Sequence, residues 1–104
     1  MTGPPSRGGT AADLRPYVEL ARRLVGVELS APEYESAFFA LFRHQDFTLP
    51  PDLDEAMQEL FFAAEDFVED ADLREDGELD AEGLRRRVAS IEPRFGALVD
   101  DLPG

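Results

Sequence analysis

The chain has 104 residues, a formal net charge of −13 and no cysteine. That length suits one domain with a single modest core. The missing cysteines exclude disulfides, thiolate metal sites and Cys nucleophiles, and fit a reducing cytoplasm. The acidity argues against nucleic acid or an anionic membrane as a direct partner, and the sequence has neither an apolar run of membrane-span length nor a signal-peptide pattern.

Residues 1–12, rich in Pro, Gly and small polar side chains, read as a flexible tail. Residues 13–104 read as one helical domain. Helical spacing first appears from about Asp13 to Val25, with Leu14, Tyr17, Ala21, Leu24 and Val25 on one face. Asp13 is the expected N-cap, Pro16 falls in the first turn, and Gly26 marks the end. Ser30-Ala31-Pro32-Glu33 is a capping box that opens a second helix, striped by Tyr34, Phe38, Leu41 and Phe42. It fades between His44 and Asp46.

Leu49-Pro50-Pro51 is a stiff joint into a third helix. There Leu53, Met57, Leu60, Phe61, Ala64 and Val68 repeat at three and four residues, as far as about Asp70. Asp72 to Gly77 is a charged turn. Asp80 then caps a fourth helix carrying Leu84, Val88, Ile91, Phe95, Leu98 and Leu102, which Pro93 is expected to kink or split. No segment alternates like a strand. Short joints place successive helices antiparallel, so the expected fold is all-α, a small antiparallel four-helix bundle.

Catalytic and metal chemistry find little support. His44 is the only imidazole, and without cysteine it anchors no zinc site unless many carboxylates help. Neighbouring acids such as Glu65 and Asp66 lack the contrasting environments that separate an acid from a base. There is no Gly-rich phosphate loop, nucleophile elbow or HExxH. No cofactor is expected, and the chain is not expected to be an enzyme. The stretch Asp72 to Gly83 imitates a calcium-binding loop, with Gly77 at the turn position. It fails at two ligands, because Arg74 occupies the third position and Gly83 the twelfth. A degenerate calcium-binding helix–loop–helix module is therefore a minor alternative.

The charge is not spread evenly. Asp52 to Glu82 hold 14 acidic side chains against a single base, Arg74, while the rest of the chain has nine of each sign. A localised field of one sign does nothing for the fold but steers oppositely charged partners. At about 100° per residue, Glu55, Glu59, Phe62, Asp66 and Glu69 share the face of the third helix opposite Leu60 and Ala64. Phe62, ringed by carboxylates, either anchors a partner or packs against another helix or the N-terminal segment. Carboxylates at this density can sit where phosphates would lie in a cationic groove and so block a nuclease or other nucleic-acid-binding protein by competition, but the spacing fits any other basic protein equally.

From about Glu19 to Val88 the chain also resembles the colicin D immunity protein family, small bacterial antidotes to a tRNA-cleaving toxin. The resemblance runs through Ser30-Ala31-Pro32-Glu33-Tyr34-Glu35, Leu41-Phe42, Leu49-Pro50 and Leu60-Phe61-Phe62. It continues through Asp72-Leu73-Arg74-Glu75-Asp76-Gly77-Glu78-Leu79-Asp80 to Leu84-Arg85. It implies a four-helix bundle that binds the toxin's nuclease domain and covers its basic active site without catalysing anything. The candidate contacts are Glu55, Glu59, Phe62, Asp66, Glu69 and Asp70, followed by Asp72, Glu75 and Asp76. The protein is then expected to be cytoplasmic, monomeric when free, and in direct contact with neither nucleic acid nor membrane. An acidic helical adaptor for some other basic protein is the alternative.

Overall fold

The computed structural model describes residues 8–103; the first seven residues of the expected 1–12 tail, and Gly104, lie outside them. Four helices follow in order: α1 (Ala11–Val25), α2 (Ala31–Arg43), α3 (Pro51–Asp66) and α4 (Ala81–Asp100), with a short 3-10 turn at Ala71–Leu73. No strand forms among the described residues, which hold only two isolated parallel bridges, Gly8 with Thr48 and Phe67 with Leu79. The architecture is an all-α four-helix bundle, as its spacing predicts.

Local chemistry sets the helix ends. Thr10 caps α1, and Asp13 sits three residues inside as the reciprocal half of a capping box. The expected cap at Asp13 is thus corrected: Thr10 supplies the hydroxyl, so the helix starts earlier. The first helix therefore begins inside the expected tail. Gly9 is buried and donates from its backbone N–H to Thr48 O at 2.8 Å. A Cβ on Gly9 would lie 2.8 Å from the Phe47 ring and 3.2 Å from Leu49, so only glycine fits this approach. Ser30 and Glu33 form their capping box, and Asp80 Oδ1 accepts from Gly83 N–H at 2.7 Å to start α4.

Two expectations about helix length are overturned. α3 stops at Asp66 rather than near Asp70. Phe67 turns extended and buries its ring, while Leu79 N–H donates to Asp66 O and Val68 N–H to Leu79 O. Burying Phe67 and clipping the loop base displaces one more turn of helix. α4, conversely, is not split at Pro93 but runs as one helix from Ala81 to Asp100, with Pro93 exposed to solvent.

The core is one apolar cluster drawn from all four helices, with Leu14, Leu24, Tyr34, Phe38, Leu53, Met57, Leu60, Leu84, Val88 and Phe95 fully enclosed. α4 packs most extensively, against both α1 and α3, whereas the backbones of α2 and α3 stay farther apart. Rings fill that gap. Phe38 stacks on Phe42 with centroids 6.0 Å apart, Phe42 meets Phe61 at 4.9 Å, and Phe39 meets Phe61 edge-on at 5.6 Å.

Candidate protein-docking surface

The antiparallel arrangement gathers the turns into two ends. One end holds the 26–30 turn and the long 67–80 connection; the other holds the 44–50 connection and both ends of the described chain.

The candidate residues divide into three groups. Glu55, Glu59 and Asp66 lie on the flank of α3 that faces α4. Glu59 is ion-paired with Arg94, and Asp66 with Arg87 at 3.8 Å. Glu55 shares a small recess of about 180 Å³ with Asp52, Arg94 and Leu98. The α4 arginines therefore hold two of the three carboxylates, a coupling across helices that spacing within α3 does not reveal. Phe62 forms the second group alone. It is 53% exposed, with its ring against that of Phe61 in an edge arrangement.

Glu69, Asp70, Asp72, Glu75 and Asp76 form the third group. Glu69 is not on the α3 face as expected, because the helix has ended three residues earlier. All five lie on the 67–80 connection, whose only base is Arg74. The Arg74 guanidinium is turned onto backbone: it donates to Val68 O at 2.9 and 3.2 Å and to Glu69 O at 3.4 Å. Among the described residues no ion pair engages any of the five acids. Their loop is nonetheless ordered. Asp70 Oδ1 accepts from Asp72 N–H at 2.9 Å, Glu78 Oε1 accepts from Glu75 N–H at 2.6 Å, and Gly77 takes the turn at φ 90°. Among the described residues no three His, Cys, Asp or Glu side chains are arranged so that they could hold a metal ion.

Glu35 belongs with this surface although the sequence reading did not select it. Partial burial and, second, the nearby Glu69 carboxylate push its pKa up. The two sit on different elements 34 residues apart, so no local pattern could have paired them. Glu33 shifts the other way, because the Ser30 hydroxyl and backbone N–H both hydrogen-bond its carboxylate.

A strongly acidic bundle with exposed apolar side chains has a surface suited to a protein partner. The family model for bacterial self-protective colicin-like immunity matches residues 13–92, most of the chain, and the chain belongs to that family. Such proteins inhibit a cognate toxin by binding it. No curated protein and no solved structure matches the chain. No helix among the described residues is long and apolar enough to cross a membrane.

Proposed function

We propose that this chain neutralises a nuclease toxin of the colicin D type, a tRNase, by covering its basic active site with the acidic surface of α3 and the 67–80 connection. It acts in the cytoplasm, as a monomer until it meets the toxin, and catalyses nothing. The observation that carries this reading is the 67–80 connection, where carboxylates unpaired within the bundle are held on a hydrogen-bonded frame. Preorganised carboxylates lose little freedom on binding, and they can take the positions of RNA phosphates in the toxin's groove. Their summed field accelerates encounter, and salt weakens that acceleration. Glu59 and Asp66 contribute through the seam with α4, where toxin cations would join Arg94 and Arg87 around shared carboxylates.

The test is growth rescue. The toxin gene adjacent to this one is induced in a sensitive bacterium with and without the chain, and binding to the catalytically disabled toxin is measured at low and high salt. Rescue is expected, and Glu55→Arg with Asp72→Arg should weaken binding by about a hundredfold, roughly 3 kcal/mol. Neither residue is in an ion pair among the described residues, so the fold should survive the change. A lethal toxin that the chain does not neutralise would sink the proposal.

A further inference from the structure

Four large apolar side chains are exposed among the described residues: Val25 (36%), Val27 (69%), Phe62 (53%) and Leu73 (71%). Single exposed apolar residues are ordinary. Their placement is not, because all four lie at the end formed by the 26–30 and 67–80 turns. Val25 and Val27 close α1, Phe62 is in the final stretch of α3, and Leu73 ends the 3-10 turn.

The end of α1 adds a second anomaly. Glu28 N–H donates to Arg23 O at 2.8 Å and Val27 N–H to Leu24 O at 3.1 Å, the bond pair of a Schellman helix end. The left-handed position of that motif is usually glycine, which has no Cβ to clash. Here it is Val27, at φ 62°, while the neighbouring Gly26 sits at φ −80° and does not use its freedom. A β-branched residue in this region is an outlier. Burial cannot offset the strain, since Val27 is the second most exposed of the four.

We infer that Val27 and Leu73 are apolar contacts for the toxin, extending the docking surface across the whole end of the bundle. This rests on the toxin-binding reading above. The two turns belong to one surface, since Arg85 at the start of α4 donates to Leu24 O at 3.1 Å and ties the end of α1 to the end of the 67–80 connection. Charge selects the occupant. The 67–80 connection that carries Leu73 holds Glu69, Asp70, Asp72, Glu75, Asp76 and Glu78 against Arg74 alone, whose guanidinium is turned onto backbone. This surface therefore repels a second copy of itself and suits a basic protein. The arrangement is that of an interface in which apolar anchors supply affinity and surrounding charge supplies specificity.

The experiment pairs thermal melting of the full chain with its affinity for the catalytically disabled toxin encoded beside it. Val27→Gly should raise Tm by about 4 °C, through relief of the left-handed strain, and should weaken binding about fivefold. Leu73→Ala should leave Tm unchanged and weaken binding to a similar degree. A stabilising substitution that costs affinity is something a purely structural Val27 would not produce. Affinities within twofold of the parent for both variants would overturn the inference. The toxin-binding reading would then survive if Glu55→Arg with Asp72→Arg still lost binding, whereas a parent chain that does not bind the toxin overturns both.

Discussion

The two ends of this bundle are built on opposite principles. At the end with the 44–50 connection the chain closes on itself: Gly9 hydrogen-bonds Thr48, Ala11 N–H donates to Pro103 O at 3.0 Å, and the buried Tyr17 hydroxyl donates to Gln45 Oε1 at 3.2 Å. Burial pushes the Tyr17 pKa up to about 12. None of the four exposed large apolar side chains lies at this end. The other end is equally ordered yet leaves Val27, Leu73 and a row of carboxylates facing outward. The side chains that hold the 67–80 connection bond to backbone: Arg74 donates to Val68 O, while Asp70 and Glu78 accept from Asp72 and Glu75 N–H. Among the described residues no ion pair engages Glu69, Asp70, Asp72, Glu75 or Asp76. The first end closes over itself; the second fixes its backbone and leaves Val27, Leu73 and its acids turned outward.

That contrast breaks first at Gly9. Gly9→Ala forces a methyl against the Phe47 ring, and overpacking of this kind costs about 1–3 kcal/mol. Tm should fall by several degrees, while toxin affinity stays unchanged. An unmoved Tm would mean that the closed end is looser than its geometry suggests.

Arg74→Ala attacks the other end and should do the reverse. Removing its side chain strips Val68 O of two donors and opposes the tight path of the 67–80 connection. The loss is local, so Tm should fall by the equivalent of no more than about 1 kcal/mol. Two effects then compete for the toxin. Deleting a cation strengthens the acidic field, which on an exposed surface is worth a few tenths of a kcal/mol, up to about 1. Freeing the loop makes each acid and Leu73 lose more freedom on binding, at about 0.5–1.5 kcal/mol per side chain. Ordering wins, so the dissociation rate should rise about tenfold although association quickens slightly. Arg74→Lys should rescue poorly, since an ammonium lacks the planar fork that reaches two carbonyls. Amide exchange across residues 67–80, measured in parallel, checks the loop assignment.

The same contrast explains what was legible in the sequence. Helix existence, most of each apolar stripe and the Ser30 and Asp80 caps are local signals that the structure contains, whereas Val25 is exposed and Val68 and Leu102 fall beyond the ends of α3 and α4. The end of α3 was not legible, because it depends on Phe67 and Leu79 meeting across 12 residues. The same is true of Thr10, whose capping is hidden in a stretch that reads as tail. Pro93 shows the converse: a strong local breaker fails to split the helix at a solvent-exposed position. For the site, the acidic density was visible, but its division was not. Arg87, Arg94 and Glu35 enter from other helices, and no periodicity within α3 predicts which carboxylates they reach.

Glu35→Gln probes the smallest effect and carries a definite sign. In the folded chain partial burial and Glu69 raise the Glu35 pKa, so folding favours its protonated form. A raised folded pKa contributes stability that is present below the unfolded value and is lost as pH rises through the folded one. At neutral pH the ionised Glu35 is therefore mildly unfavourable in the free protein, and Glu35→Gln should stabilise it there. The carboxylate is largely exposed, so the gain is no more than about 0.5 kcal/mol after solvent screening. Below the ordinary carboxylate value of 4.5 the gain should vanish, because Glu35 is then protonated in both states. In the complex the sign inverts: a toxin cation placed between Glu35 and Glu69 relieves their repulsion, so Glu35→Gln should weaken binding at neutral pH. Glu33→Gln is the control. Its carboxylate accepts from the Ser30 backbone N–H at 3.1 Å and its pKa is lowered, so the parent's advantage over this variant should be present at neutral pH and lost as pH falls through that lowered value. Melting curves of the three chains between neutral and acid pH test both signs. A Glu35→Gln variant less stable than the parent at neutral pH would remove Glu35 from the docking surface and leave it as an ordinary structural residue of α2.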